Sequence, residues 1–161
     1  TIPLSDWRIA VDMDASRSIR RQTGHPAEGC TCRACTTWRK LSTNVFPKSL
    51  ATELERLGID KANPTDLYIV DETNNDFGFR VMYHIAGKIL SGPAPWLHEN
   101  EPDDVLESKM HYYHEVQSEP TWIGLRVSTK RDSFEYAPEL PNDTSSDILC
   151  LDFRLRAKAV V

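Results

Sequence analysis

The sequence predicts an α+β domain, a mainly antiparallel sheet with two or three helices packed on one face. Three observations carry that expectation. Segments alternating apolar and polar residues at period two lie near both ends of the chain, at residues 7–14 and 149–156. A stretch with helical spacing and three of the four cysteines, about residues 16–58, lies between the first strand and the rest. Beyond it, further strand-like segments follow one another through turn and loop signals. No internal repeat and no dividing linker appears, so residues 1–161 read as a single domain with a helical, cysteine-containing insert.

The elements follow in order. Trp7, Ile9 and Val11 alternate with Arg8, Ala10 and Asp12, the mark of a strand with one face on a core. Residues 16–22 have the composition of a short helix or turn with three arginines, Arg17, Arg20 and Arg21, broken by Gly24-His25-Pro26. From 31 to about 42 the residues suit a helix, with Cys32, Cys35, Trp38 and Leu41 spaced to share one face. Pro47, Leu50, Leu54, Leu57 and Gly58 mark a second helix, Pro47 fitting its first turn and Gly58 its end.

Residues 67–70 then read as a strand, Asn74-Asn75-Asp76 as a turn and 77–90 as a long strand or strand pair with Gly78 and Gly87 as bends or bulges, so that a hairpin forms. Residues 91–102 read as loop, 105–116 fit either element type, and 121–128 resume a strand. After a proline-containing loop at Pro138 and Pro141, the last strand places Leu149, Leu151, Phe153 and Leu155 on one side.

Charge narrows the classes of partner. The formal net charge is -5, against a general nucleic-acid binder, which needs a basic face. The first sixty residues hold nine lysines and arginines to seven acidic residues, and the remainder ten to seventeen. Glu99, Glu101, Asp103, Asp104 and Glu107 concentrate that acidity in a stretch suited to a basic protein partner. No apolar run approaches the ~18–20 residues of a membrane helix and no secretory signal is visible, so the expectation is a cytoplasmic protein that engages neither nucleic acid nor membrane.

The sharpest chemical feature is Cys30-Thr31-Cys32-Arg33-Ala34-Cys35, a Cys-x-Cys-x-x-Cys arrangement, with Cys150 apart in the last strand. Zinc takes four ligands in a tetrahedron and favours thiolates, so three cysteines within six residues supply three positions. His25 is the nearest candidate for the fourth, while His84, His98, His111, His114 and Cys150 reach it only through the fold. A structural zinc site usually combines two separated pairs, and no second pair is present. Cys32 and Cys35 also form a Cys-x-x-Cys at a helix start, where a thiol is acidified, but without the βαβ context of a thioredoxin-like domain. Simple packing of Cys35 beneath Trp38 and Leu41 competes with both readings.

His111 and His114 face one way only on a helix, and His84, amid apolar residues, reads as a core-edge histidine hydrogen-bonded to a carbonyl or carboxylate. Asp12, Asp14, Asp71, Glu72 and Asp152 lie on or beside strands, which allows a carboxylate pair across the sheet. Nucleophile-elbow, phosphate-loop, dinucleotide and His-Glu-x-x-His patterns are all missing from the sequence.

Residues 29–38, with Gly-Cys-x-Cys-x-x-Cys before an aromatic-containing helix, together with Phe46-Pro47, Leu57-Gly58-Ile59-Asp60, residues 83–89 and residues 148–153, resemble a family of small bacterial proteins of unassigned function. The resemblance spans most of the chain except residues 99–145. It implies a common fold and a deliberate cysteine cluster, and carries no reaction or ligand. Three functions stand at this point. The first is a non-catalytic, immunity-type or adaptor protein with a structural zinc site. The second is a zinc-dependent enzyme or metal-handling protein using Cys30, Cys32 and Cys35. The third is a thiol redox protein.

Overall fold

The computed structural model describes residues 1–95, 113–129 and 136–159. Among these residues seven strands and three helices follow in the order β1 (Ile2–Leu4), β2 (Trp7–Val11), α1 (Met13–Arg21), α2 (Arg33–Leu41), α3 (Lys48–Arg56), β3 (Asp66–Thr73), β4 (Asp76–Ser91), β5 (His114–Gln117), β6 (Ile123–Thr129) and β7 (Asp147–Lys158). This is the expected α+β architecture, with every described strand pairing antiparallel. The acidic stretch at 99–107, His98 and His111 lie outside the described residues.

The long strand β4 organises the sheet, whose order is β1-β2-β4-β7-β6-β5. One edge of β4 pairs continuously with β7, from Asp76↔Lys158 to Gly87↔Asp147. Its other edge is shared: β3 covers the first half as far as Met82, and β2 covers the end from Gly87 onward. The turn joining β3 to β4 has positive φ at Asn74 (49°) and Asn75 (63°), the conformation a two-residue hairpin requires and asparagine tolerates. The bulge falls in β3, between Ile69 and Asp71, opposite Gly78. Gly87 has a different reason to be glycine, since a Cβ there would meet the Ala10 carbonyl oxygen at 2.5 Å.

Period two then separates two faces. Phe77, Phe79, Val81, Tyr83 and Ile85 of β4 join Leu149, Leu151, Phe153 and Leu155 of β7 in the main core. Onto this face pack Cys35 and Trp38 from α2 and Leu50 and Leu54 from α3, so the helices expected on one face number two. The third, α1, lies on the opposite face, where Ala15 and Ile19 meet Ala86 and Ile148. Trp38 stacks edge-on against Phe46 and Phe79 and donates its indole N–H to the Lys61 carbonyl at 2.8 Å, so its apolar ring is buried without an orphaned donor.

Several boundaries differ from the sequence expectation. The first strand ends at Val11 rather than Asp14 because the Asp12 carboxylate accepts the Ala15 N–H at 3.0 Å and caps α1. Pro47 stands one place earlier than expected, at the cap of α3. β1 was not anticipated: its three residues are too few to show a period.

Candidate metal centre

After α1 the chain turns back through Gly24 and Gly29, whose φ values of 89° and 60° lie in the left-handed region. Along this turn the Ala27 N–H donates to the Thr65 carbonyl at 3.0 Å and the Cys30 N–H to the Ala27 carbonyl at 3.3 Å. Cys30 is thereby delivered to the start of α2, where Cys32 is the N-cap and its carbonyl accepts the Thr36 N–H at 3.0 Å. N-cap and third helical positions face one another, as in a capping box, so Cys35 comes back toward Cys32. The three sulfur atoms lie within 4.8 Å of one another, close enough to hold a metal ion. Zinc–thiolate bonds of ~2.3 Å in a tetrahedron place sulfurs about 3.8 Å apart, a spacing that falls inside this limit.

Burial grades the three thiols. Cys32 is exposed, Cys30 intermediate and Cys35 buried against the main core. Cys32 is brought down to about 7, chiefly by the Cys35 main-chain N–H at the open end of the helix, then by the neighbouring Cys30 and Cys35 thiols. Cys35 is pushed up to about 12, chiefly by burial and then by the two adjoining thiols. The Cys32 N–H donates weakly to the Cys30 sulfur at 3.4 Å. Metal binding replaces thiol protons, and a divalent ion meets three sulfurs arranged to share negative charge at a helix N-terminus.

His25 does not join them. Its Nδ1 lies 2.8 Å from the Tyr136 hydroxyl and its Nε2 3.0 Å from the Ile19 carbonyl, so both ring nitrogens serve to tie the loop to α1 and the opposite face. Proximity in sequence to Cys30 was a poor guide because Gly29 turns the chain between them. His84 and Cys150 are cross-strand partners on the sheet face away from the main core, and His114 meets the Asp6 carboxylate and the edge of Trp7. Among the described residues no fourth histidine, cysteine or carboxylate joins the three sulfurs, and none of the four cysteines is in a disulfide.

The five strand-associated carboxylates are engaged elsewhere and form no acid–base pair. Asp12 caps α1 and accepts from Thr144 and Ser146, Asp14 pairs with Arg17, Asp71 with Arg156, and Glu72 with Arg33. Asp152 stands at the centre of a buried polar cluster, bonded by Arg80 and Arg126 and by the Tyr113 hydroxyl. That cluster escaped sequence reading, though a trace was there: Arg80, Arg126 and Asp152 each stand between two apolar residues of a strand.

His84 is buried, with its Nδ1 2.6 Å from the Thr65 hydroxyl and its ring beside the Tyr136 main chain. Burial, and next the neighbouring His25, bring it down to about 4, so the ring is neutral. No family model, no curated protein and no solved structure matches this chain.

Proposed function

We propose that this protein is a metal-handling protein that holds a zinc ion on Cys30, Cys32 and Cys35 and leaves its fourth coordination position to a ligand from outside the described fold. The observation that carries this reading is the convergence of three sulfurs within 4.8 Å at one helix N-terminus. Three soft ligands favour zinc over hard cations such as magnesium or calcium. A closed structural site commonly supplies four protein ligands, whereas three with an exchangeable fourth suit a metal that is passed on or acts on a bound molecule. The acidic stretch expected to engage a basic protein lies outside the described residues, and the reading rests on the cysteines.

A second reading, thiol–disulfide exchange, is favoured by one feature: Cys32 is exposed while Cys35, three residues on, is buried behind it. Attack by an outer thiol followed by resolution by an inner one uses that arrangement.

Elemental analysis of protein purified without a metal-affinity tag or chelator, paired with a free-thiol count, separates the readings. Metal handling predicts about one zinc per chain, with cluster thiols protected until a chelator is added. Replacement of Cys35 by serine lowers that metal content. A metal-free protein with all thiols reactive defeats the zinc reading, and a metal-free protein lacking a pair of thiols supports the redox one.

A further inference from the structure

The edge of β4 that faces β3 and β2 is interrupted between them. The β3 ladder ends at Asp66↔Met82 and the β2 ladder begins at Val11↔Gly87. On either side of the break the edge is still satisfied. The Met82 carbonyl accepts the Thr65 N–H at 2.9 Å, and the Ala86 carbonyl accepts the Asp12 N–H at 2.9 Å. The Ser16 hydroxyl takes the place of a strand residue, donating to the Ala86 carbonyl at 3.2 Å and accepting the Ala86 N–H at 2.9 Å.

Main-chain groups alternate in direction along a strand, so the N–H and C=O of His84, midway between Met82 and Ala86, point to this same edge. Among the described residues no hydrogen bond reaches either group. A buried strand residue with an unfilled rung calls for a partner. A cavity of about 330 Å³ opens at this place, bounded by Ser16 and Arg20 of α1, Leu57 and Ile59 beyond α3, Thr65 and His84.

We propose that this notch binds a small, neutral molecule carrying a secondary amide, whose N–H and C=O complete the missing rung against the main chain of His84. Its apolar body rests on Leu57 and Ile59. The volume lies at the lower end of the ~300–1,000 Å³ typical of ligand pockets, so the ligand is of capped amino-acid size. Addition to a strand edge supplies affinity through paired main-chain bonds and specificity through the adjoining side-chain space. A neutral ligand suits the lining because its charged groups already have partners: Arg20 donates to the Gly58 carbonyl, Glu28 accepts the Gly24 N–H and Asp60 the Ala62 N–H. The site is separate from the cysteine cluster and does not depend on the metal reading.

The test is a titration of the isotope-labelled protein with N-acetyl-leucinamide, read by the amide resonances. The expected result is a saturable downfield shift of the His84 amide by roughly 10 mM, a concentration that nearly saturates a site with a Kd of about 1 mM. Asn63, exposed on the cavity lining, provides the control: Asn63→Trp obstructs the mouth and weakens binding at least ~10-fold, equivalent to about 1.4 kcal/mol. A His84 amide that does not move in the unaltered protein overturns the proposal. So does an undiminished shift in a folded Asn63→Trp protein, since the probe would then bind elsewhere.

Discussion

Arg80 and Asp152 meet across the β4–β7 ladder, Arg80 Nη2 lying 2.8 Å from Asp152 Oδ2, and Arg126 Nη2 reaches the same oxygen from β6 at 2.7 Å. A single carboxylate, 1% exposed, is thus shared by two buried guanidiniums on the face of the sheet away from the main core. Desolvating three charges is costly, and the cost is recovered only while all of them remain together. Tyr113 adds a hydroxyl to the other carboxylate oxygen at 3.0 Å, and its ring lies beneath the Arg126 guanidinium at 5.1 Å.

Replacing Asp152 by asparagine keeps the shape and removes the charge that Arg80 and Arg126 share. The expected loss is about 3–5 kcal/mol, because breaking a buried ion pair exposes the desolvation cost of its partner. Urea unfolding followed by circular dichroism measures this as a lower midpoint with an unchanged slope. A loss within the ~0.5 kcal/mol range of ordinary surface substitutions would show that the cluster contributes nothing net.

What the sequence revealed and what it concealed both follow from period. β4 and β7 were legible because Phe77 through Ile85 and Leu149 through Leu155 repeat every second residue over a length that leaves little alternative. The proximity of Cys30, Cys32 and Cys35 was legible for the same local reason, all three lying in one turn. Their isolation from His25 was not, since it depends on the left-handed Gly29 and on Tyr136, more than a hundred residues away. The split edge of β4 was equally hidden, because which strands pair with one long strand is decided by the whole fold.

Asp12 does three jobs at the junction of β2 and α1. It accepts the Ala15 N–H at 3.0 Å, the Thr144 hydroxyl at 2.9 Å and the Ser146 hydroxyl at 3.2 Å, and these bonds, the Ala15 N–H first, hold its carboxyl below the usual range. Asp12→Ala removes the cap and frees the segment before β7, a loss of about 1–2 kcal/mol. Thermal unfolding gives the magnitude, and faster amide exchange at Ala15 locates it. The lowered carboxyl also sets a direction with pH: its contribution is present above the unfolded value near 3.8 and is lost as acid protonates it in the folded state.

His84 makes stability depend on pH over a higher window. Its folded value of about 4 lies below the ordinary 6.5, with burial the main cause, His25 opposing its charge, and the Tyr136 main chain and Asp152 favouring it. Above 6.5 both states are neutral and the group contributes fully. Below 6.5 the unfolded chain takes up the proton first, so stability falls until about pH 4, where the folded ring also protonates. The total is about 3 kcal/mol. In urea unfolding from pH 7.5 to 4.5, the advantage of the unaltered protein over His84→Asn should shrink steadily; an advantage constant with pH would mean the ring is not buried in its neutral form.

Selective alkylation probes the cysteine cluster in the metal-free protein. Cys32 is exposed and near 7, whereas Cys35 is buried and near 12, so iodoacetamide at neutral pH should label Cys32 first. Only the thiolate reacts, so lowering the pH from 7 to 6 should slow labelling of Cys32 roughly fivefold, as its ionised fraction falls from about one half to about one tenth. Peptide mapping by mass spectrometry assigns the modified residue. Adding zinc before the reagent should protect Cys30, Cys32 and Cys35 together, because a bound ion engages all three sulfurs at once. Protection of Cys32 alone would instead indicate a single-ligand surface contact, since neither of the other two thiols would then be held in the thiolate form by the metal.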